Sequence, residues 1–323
     1  MRLVALLVGT ALLAGCGGAG TSRLRSASLV LDFTPNAVHA GIYSALAHGF
    51  DRAEGVRLHV IIPSASTDSI KLLQAGRVSF AILDIHDLAI ARERGTDLVG
   101  IMAIVQRPLA SVIAAPAIES PRDLDGKTVG ITGDPSDTAV LDSIVTGAGG
   151  HPDRVHTVTI GYNAVVDLLA GRVAAATAFW NDEGITVQHA RPGFHIFRVE
   201  NYGAPPYPEL VLCTTAGLLR RDAGLAHSVV RALVAGYQFT LRHPAQSAAD
   251  LESQVQGLDR SQVDTQLGAL LPAFRGPDGQ VGELDVATLR RWAVWEAHFG
   301  IVTRPPNVAQ TFASGFVSAP GAG

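Results

Sequence analysis

The chain has 323 residues, 47% hydrophobic and 17% charged, which is ample core material for one or two domains and far from a disordered composition. A formal net charge of −4 gives no basic footprint for nucleic acid, and beyond the N-terminus no segment is long and apolar enough to cross a membrane. Two cysteines exclude a disulfide framework, and 11 histidines without a His-x-x-x-His or Cys-x-x-Cys pair offer no metal-ligand spacing, so no metal or cofactor is expected.

At the N-terminus, Arg2 precedes an apolar run over 3–13 that ends in Leu13-Ala14-Gly15-Cys16. The run falls short of the ~20 residues that span a bilayer, so it reads as a processing signal over 1–15. Gly17-Gly18-Ala19-Gly20-Thr21-Ser22 follows as a leash, giving a flexible tether over 16–27. The pattern resembles the lipobox of bacterial lipoproteins. That resemblance implies cleavage before Cys16, a lipid on its sulfur, and a mature chain held at the outer face of the cell membrane. Cys213, in Leu210-Val211-Leu212-Cys213, then has no intrachain partner and reads as a small buried apolar residue.

After the leash, Val- and Ile-rich runs alternate with stretches of helical spacing. Residues 29–31, 58–62, 80–83, 98–101 and 111–113 read as strands, with helices over 39–48, 67–75 and 86–94. Such alternation implies a mainly parallel sheet flanked by helices. After Ser120-Pro121-Arg122-Asp123-Leu124 the pattern begins again. Strands are expected at 127–131, 155–160, 173–179 and 195–199, a helix at 136–146 capped by Asp134 or Ser136, and helical turns at 165–169 and 183–189. The turn cluster Tyr202-Gly203-Ala204-Pro205-Pro206-Tyr207-Pro208 then leads to a strand at 209–214 and a helical tail.

Apolar stripes at 225–241, 261–271 and 285–299 mark the tail helices, and Trp292 and Trp295 share one face in the manner of core packing. With no sheet of its own to cover, the tail must pack on the first block. The expected organisation is therefore a discontinuous lobe of 28–108 and 209–310, a second lobe of 109–208, and a loose tail at 311–323. The chain would cross between lobes near 106–112 and 203–211.

Two α/β lobes joined by two crossings form a cleft, and open α/β sheets bind ligands beyond the carboxyl ends of their strands. Polar and aromatic residues fall at those ends. Asp32-Phe33-Thr34-Pro35-Asn36-Ala37-Val38-His39 follows the first strand and Asp84-Ile85-His86 the third. Gly133-Asp134-Pro135-Ser136-Asp137 and Phe179-Trp180-Asn181-Asp182-Glu183-Gly184 follow two strands of the second block.

Leu31-Asp32-Phe33-Thr34-Pro35-Asn36, with His39-Ala40-Gly41-Ile42-Tyr43 behind it, resembles the opening of the thiamine-pyrimidine-precursor family, which joins bacterial periplasmic-type binding proteins to the yeast pyrimidine synthase. Trp180-Asn181-Asp182-Glu183-Gly184 is similar to the Trp-Asn-x-Glu-Gly stretch of its bacterial transport members. Leu124-Asp125-Gly126-Lys127-Thr128-Val129-Gly130 resembles the second-lobe opening of type II solute-binding proteins. The resemblance runs from about residue 28 to the region of 305. It implies a two-lobed type II periplasmic-binding-protein fold and a substrate-binding lipoprotein of an ABC importer, working with a permease and an ATPase. The ligand it implies is an aminopyrimidine such as hydroxymethylpyrimidine or its formylamino derivative.

For such a ligand Phe33, Tyr43 and Trp180 are stacking candidates. Glu183 can accept from an exocyclic amine, Asn36 and Asn181 can donate and accept, and Asp32 or Asp84 can add an acceptor. His39, His86, Asp134 and Ser136 complete the candidate site, although Asp134 and Ser136 are equally ordinary helix caps. Three rivals are weaker. The synthases carry a pyridoxal-phosphate lysine after the third strand and a cysteine-rich motif in the second lobe, whereas here Asp84 stands after that strand and the second lobe has no cysteine. Sulfonate recognition wants an anion nest with an arginine. Riboflavin is the remaining alternative.

Overall fold

The computed structural model describes residues 23–65 and 67–317. The leader, Cys16 and most of the tether lie outside the described residues. Ten strands form two five-stranded sheets. The first contains β1 (Arg25–Val30), β2 (Val56–Ile61), β3 (Phe80–Asp84) and β4 (Leu98–Ala103). The second contains β5 (Ala110–Ala114), β6 (Thr128–Ile131), β7 (His156–Thr159), β8 (Ala175–Phe179) and β9 (His195–Arg198). β10 (Leu210–Thr215) returns to the first. Among the described residues the α-helices are α1 (Ala40–Ala47), α2 (Phe50–Ala53), α3 (Asp68–Gln74), α4 (Ile85–Glu93), α5 (Asp137–Gly147), α6 (Ala164–Leu169), α7 (Ile185–Ala190), α8 (Ala216–Arg242), α9 (Pro244–Gln254), α10 (Arg260–Leu270), α11 (Val286–His298) and α12 (Val308–Thr311).

The strand orders are β2-β1-β3-β10-β4 and β7-β6-β8-β5-β9. Each sheet pairs its first three strands in parallel and then receives a strand antiparallel to both neighbours. Those two strands, β10 and β5, are the ones that follow the crossings. Each sheet is therefore mixed, with one reversed strand among four that run the same way, so the mainly parallel sheets that the alternation suggested are present with that one exception. The physical consequence is useful: an antiparallel strand begins at the edge where its parallel neighbours end, so strand starts and strand ends meet on one rim.

Burial follows position. β3 and β4 are continuous apolar runs, as strands covered on both faces must be, while edge strand β2 alternates buried and exposed positions. β1 begins at Arg25, inside the stretch expected to be tether. Cys213 lies fully buried in β10, and burial pushes its thiol up, which keeps it an inert thiol. The tail helices cover the first sheet. At the crossing of α1 and α8, a Cβ on Gly236 would stand 2.0 Å from the Gly41 carbonyl oxygen, and the Tyr237 ring lies where a Cβ on Gly41 would go. In the stretch expected to be loose, Thr311 and Phe312 are buried, and Phe312 bridges to Gly100. No helix among the described residues is long and apolar enough to cross a membrane.

Candidate ligand-binding site

The shared rims of the two sheets line a partly open cavity of about 90 Å³. From the first sheet come Asp32, Phe33 and Asn36 after β1, Asp84 at the end of β3 and Leu210 at the start of β10. The second contributes Ala110 and Ser111 at the start of β5, and Thr132, Asp134, Ser136 and Asp137 after β6. It adds Tyr162 after β7, and Thr177, Phe179, Asp182 and Glu183 at and after the end of β8.

Local hydrogen bonds fix each segment. Asn36 Oδ1 accepts the Val38 N–H at 2.9 Å, and the Asn36 N–H donates to His39 Nδ1 at 3.2 Å, a capping box on the turn Ala37–His39. With Nδ1 accepting, Nε2 carries a proton and donates to Asp32 Oδ1 at 2.9 Å. His39 is thus a buried post that aims Asp32. Asp84 caps α4 by accepting the His86 N–H at 2.8 Å. Burial drives its carboxyl well above the usual range; His86 pulls it back, and Glu209 and Asp87 add to the rise.

In the turn after β8, Glu183 accepts the Phe179 N–H at 3.2 Å. Burial raises its carboxyl to about 8, with the Asp182 charge pushing the same way. Burial lifts Asp182 to about 6, held back by the Gln266 amide that donates to it at 2.6 Å. Asp137 faces inward differently: its Oδ2 accepts from Thr132 Oγ1, the Gly133 N–H and the Asp134 N–H at 2.7–2.8 Å, so it ties the loop together. Phe33 and Tyr162 meet edge to face, centroids 4.3 Å apart, and the Tyr162 hydroxyl donates to the Asp32 carbonyl at 3.3 Å. Among the described residues lining the cavity there is no Lys, Arg or His.

The structure brings together Asp32, Phe33, Asn36, Asp84, Asp134, Ser136 and Glu183. It does not bring His39, Tyr43, His86, Trp180 or Asn181 to the cavity wall. Trp180 turns away: its indole N–H donates to the Pro108 carbonyl at 3.0 Å and the Arg198 guanidinium lies 3.8 Å from its ring centroid, so it braces a crossing segment. Tyr43 is buried in the core beneath the tail helices, with α9's Gln254 donating to its carbonyl. Asn181 is buried, its side-chain oxygen without a partner.

His86 sits behind the wall, bonded through Nδ1 to Glu296 and through Nε2 to the Tyr207 hydroxyl at 3.1 Å. Burial alone would lower its imidazole, but the Glu296, Asp84 and Glu209 carboxylates overcome this and raise it to about 10. Asp84, His86 and Glu209 present ligand-type atoms within 4.8 Å of one another, a grouping the scattered histidines did not foreshadow. Both nitrogens of the ring are engaged by Glu296 and Tyr207.

Sequence reasoning missed Ser111, Thr132, Tyr162, Thr177 and Asp182. Tyr162 was within reach, since Gly161-Tyr162-Asn163 follows a strand that the sequence had marked.

Residues 36–247 match the family described as NMT1/THI5 like. The chain belongs to the NMT1/THI5-like family. It is 28% identical to a formylaminopyrimidine-binding protein of Halalkalibacterium halodurans, over 92% of this chain and 93% of that one. A 4-amino-5-hydroxymethyl-2-methylpyrimidine phosphate synthase of Legionella pneumophila is 26% identical over 52% of this chain and 54% of its own. Among solved structures, the alkanesulfonate-binding protein SsuA of Xanthomonas axonopodis pv. citri, bound to MOPS, superposes with a TM-score of 0.70 at 15% identity, covering 89% of this chain and 98% of that one. The family member thus has the two-lobed α/β fold of periplasmic binding proteins.

Proposed function

We propose that this protein is the extracytoplasmic substrate-binding component of an ABC importer, lipid-anchored through Cys16, and that it captures an aminopyrimidine of the thiamine-precursor type between its lobes. One observation carries the reading: a partly open cavity joins an edge-to-face aromatic pair, Phe33 and Tyr162, to the carboxyls of Asp32, Asp182 and Glu183. A flat ring bearing an exocyclic amine needs an aromatic wall and acceptors for its N–H groups. The similarity to a formylaminopyrimidine-binding protein along nearly the full length of both chains points the same way.

The sulfonate rival fits the cavity less well. A sulfonate would meet carboxyls and no cationic side chain. Binding, not catalysis, is the function proposed. By the resemblance, Asp84 falls where a synthase would carry its lysine; here it caps α4.

Calorimetric titration of the mature chain with hydroxymethyl- and formylamino-pyrimidines, thiamin, riboflavin and taurine tests the ligand. A pyrimidine should bind in preference to the others; riboflavin as the tightest binder would transfer the assignment to the alternative. For the anchor, Cys16→Ser should abolish incorporation of labelled lipid, and unchanged labelling would refute it.

A further inference from the structure

The acids around the cavity come from both lobes. Asp32 and Asp84 face it from the first sheet, and Asp134, Asp182 and Glu183 from the second. Closing the cleft brings these groups together and strips them of water, and both effects oppose ionised carboxyls. The rises at Glu183 and Asp182 register that cost. The Arg198 guanidinium beside the β8 turn lies on the Trp180 ring and not in the cavity. No cationic side chain among the described residues therefore lines the cavity where the two halves meet; the His86 imidazole lies behind Asp84, engaged by Glu296 and Tyr207.

We propose that the cavity selects a pyrimidine whose side arm is an ammonium group, held between Asp32 of the first lobe and Asp182 and Glu183 of the second. The inference rests on the aminopyrimidine reading and adds the charge of the ligand to it. A ligand favours the closed state only through its greater affinity for that state. A cation placed between carboxyls of opposite lobes gains that difference directly, because its charge offsets the repulsion that Asp32 adds to Asp182 and Glu183 across the cleft. Acceptor capacity remains for it. His39 takes one oxygen of Asp32, and the Phe179 N–H takes one oxygen of Glu183. A hydroxymethyl or formylamino arm has hydrogen-bonding capacity but no charge, and charge-assisted bonds are roughly twice as strong as neutral ones.

Three probes share the 4-amino-2-methylpyrimidine ring and differ in the 5-arm: aminomethyl, a cation at neutral pH, against hydroxymethyl and formylaminomethyl. Calorimetric titration of the mature protein at pH 7 should show the aminomethyl compound binding about tenfold or more tightly than either neutral one. Asp182→Asn should erase most of that ratio, lowering the aminomethyl affinity by more than the hydroxymethyl and formylaminomethyl affinities. Equal or tighter binding of the neutral arms overturns cation selection and leaves the aminopyrimidine reading standing. Failure of all three, with riboflavin bound instead, overturns both.

Discussion

Glu183 carries two separable consequences. Its carboxyl lies at about 8 in the folded chain against an ordinary 4.5, so the folded state holds a proton that the unfolded state releases. Stability must then fall as pH rises from about 4.5 to about 8, and the loss is complete above the folded value. Glu183→Gln keeps an oxygen for the Phe179 N–H and removes the charge. Without ligand, the variant should match the parent near pH 5 and melt higher above pH 8, by on the order of 2–4 °C for each kcal/mol relieved. Above pH 8, where the carboxyl is ionised, ligand affinity should fall by about one to two decades, as loss of a buried charged acceptor costs about 1–3 kcal/mol. Thermal melts across pH and a titration check both; unchanged affinity would remove Glu183 from the site. The strand-end rule made this residue legible because it depends only on chain position. The same rule failed for Trp180, three residues earlier, since the turn that follows β8 directs successive side chains to opposite sides, and no sequence pattern reveals that Pro108 and Arg198 are its partners.

At the scale of elements, the crossings are strapped by one side chain. Glu209, fully buried at the entry to β10, accepts the N–H groups of Leu109 and Ala110 on the other crossing segment, the latter at 2.7 Å. Its own backbone oxygen accepts the Ile85 N–H, and its carboxyl lies beside Asp84 and His86. Burial raises that carboxyl, against the pull of His86 and of the two N–H groups. Glu209→Ala leaves two buried N–H groups unpaired at about 1–3 kcal/mol each. Chemical denaturation should show a loss of about 2–5 kcal/mol, and a loss below 1 kcal/mol would mean that the strap is idle. Nothing in the sequence announced this contact, which joins positions 100 apart. The strand directions of β5 and β10 were hidden for a related reason: periodicity reports which residues are buried and not which way a strand runs. α9 was missed because its stripe is thin, with only Ala248 and Leu251 as buried apolar residues.

For the whole molecule, what matters is that the cleft is closed by direct contacts between lobes. The Ser136 N–H at the start of α5 donates to Asp87 of α4 at 3.1 Å, Tyr162 reaches the Asp32 carbonyl, and Gln266 of α10 holds Asp182. Few contacts of this kind hold the lobes, and several involve carboxyls that pay desolvation on closure. Burial raises the Asp87 carboxyl, and Asp134 pushes it the same way. An equilibrium so balanced should lie open without ligand and shut when ligand supplies contacts to both sides. A closed chain of this length has a radius of gyration of about 20 Å. Small-angle scattering of the mature protein should give a larger radius without ligand and approach that value at saturation. Asp87→Ala, which removes a closing contact outside the proposed ligand contacts, should weaken ligand affinity by several-fold while the ligand-free radius stays as in the parent. A radius that ligand does not change would mean that the lobes are already shut, and the charge repulsion across the cleft could then have no part in selecting the ligand.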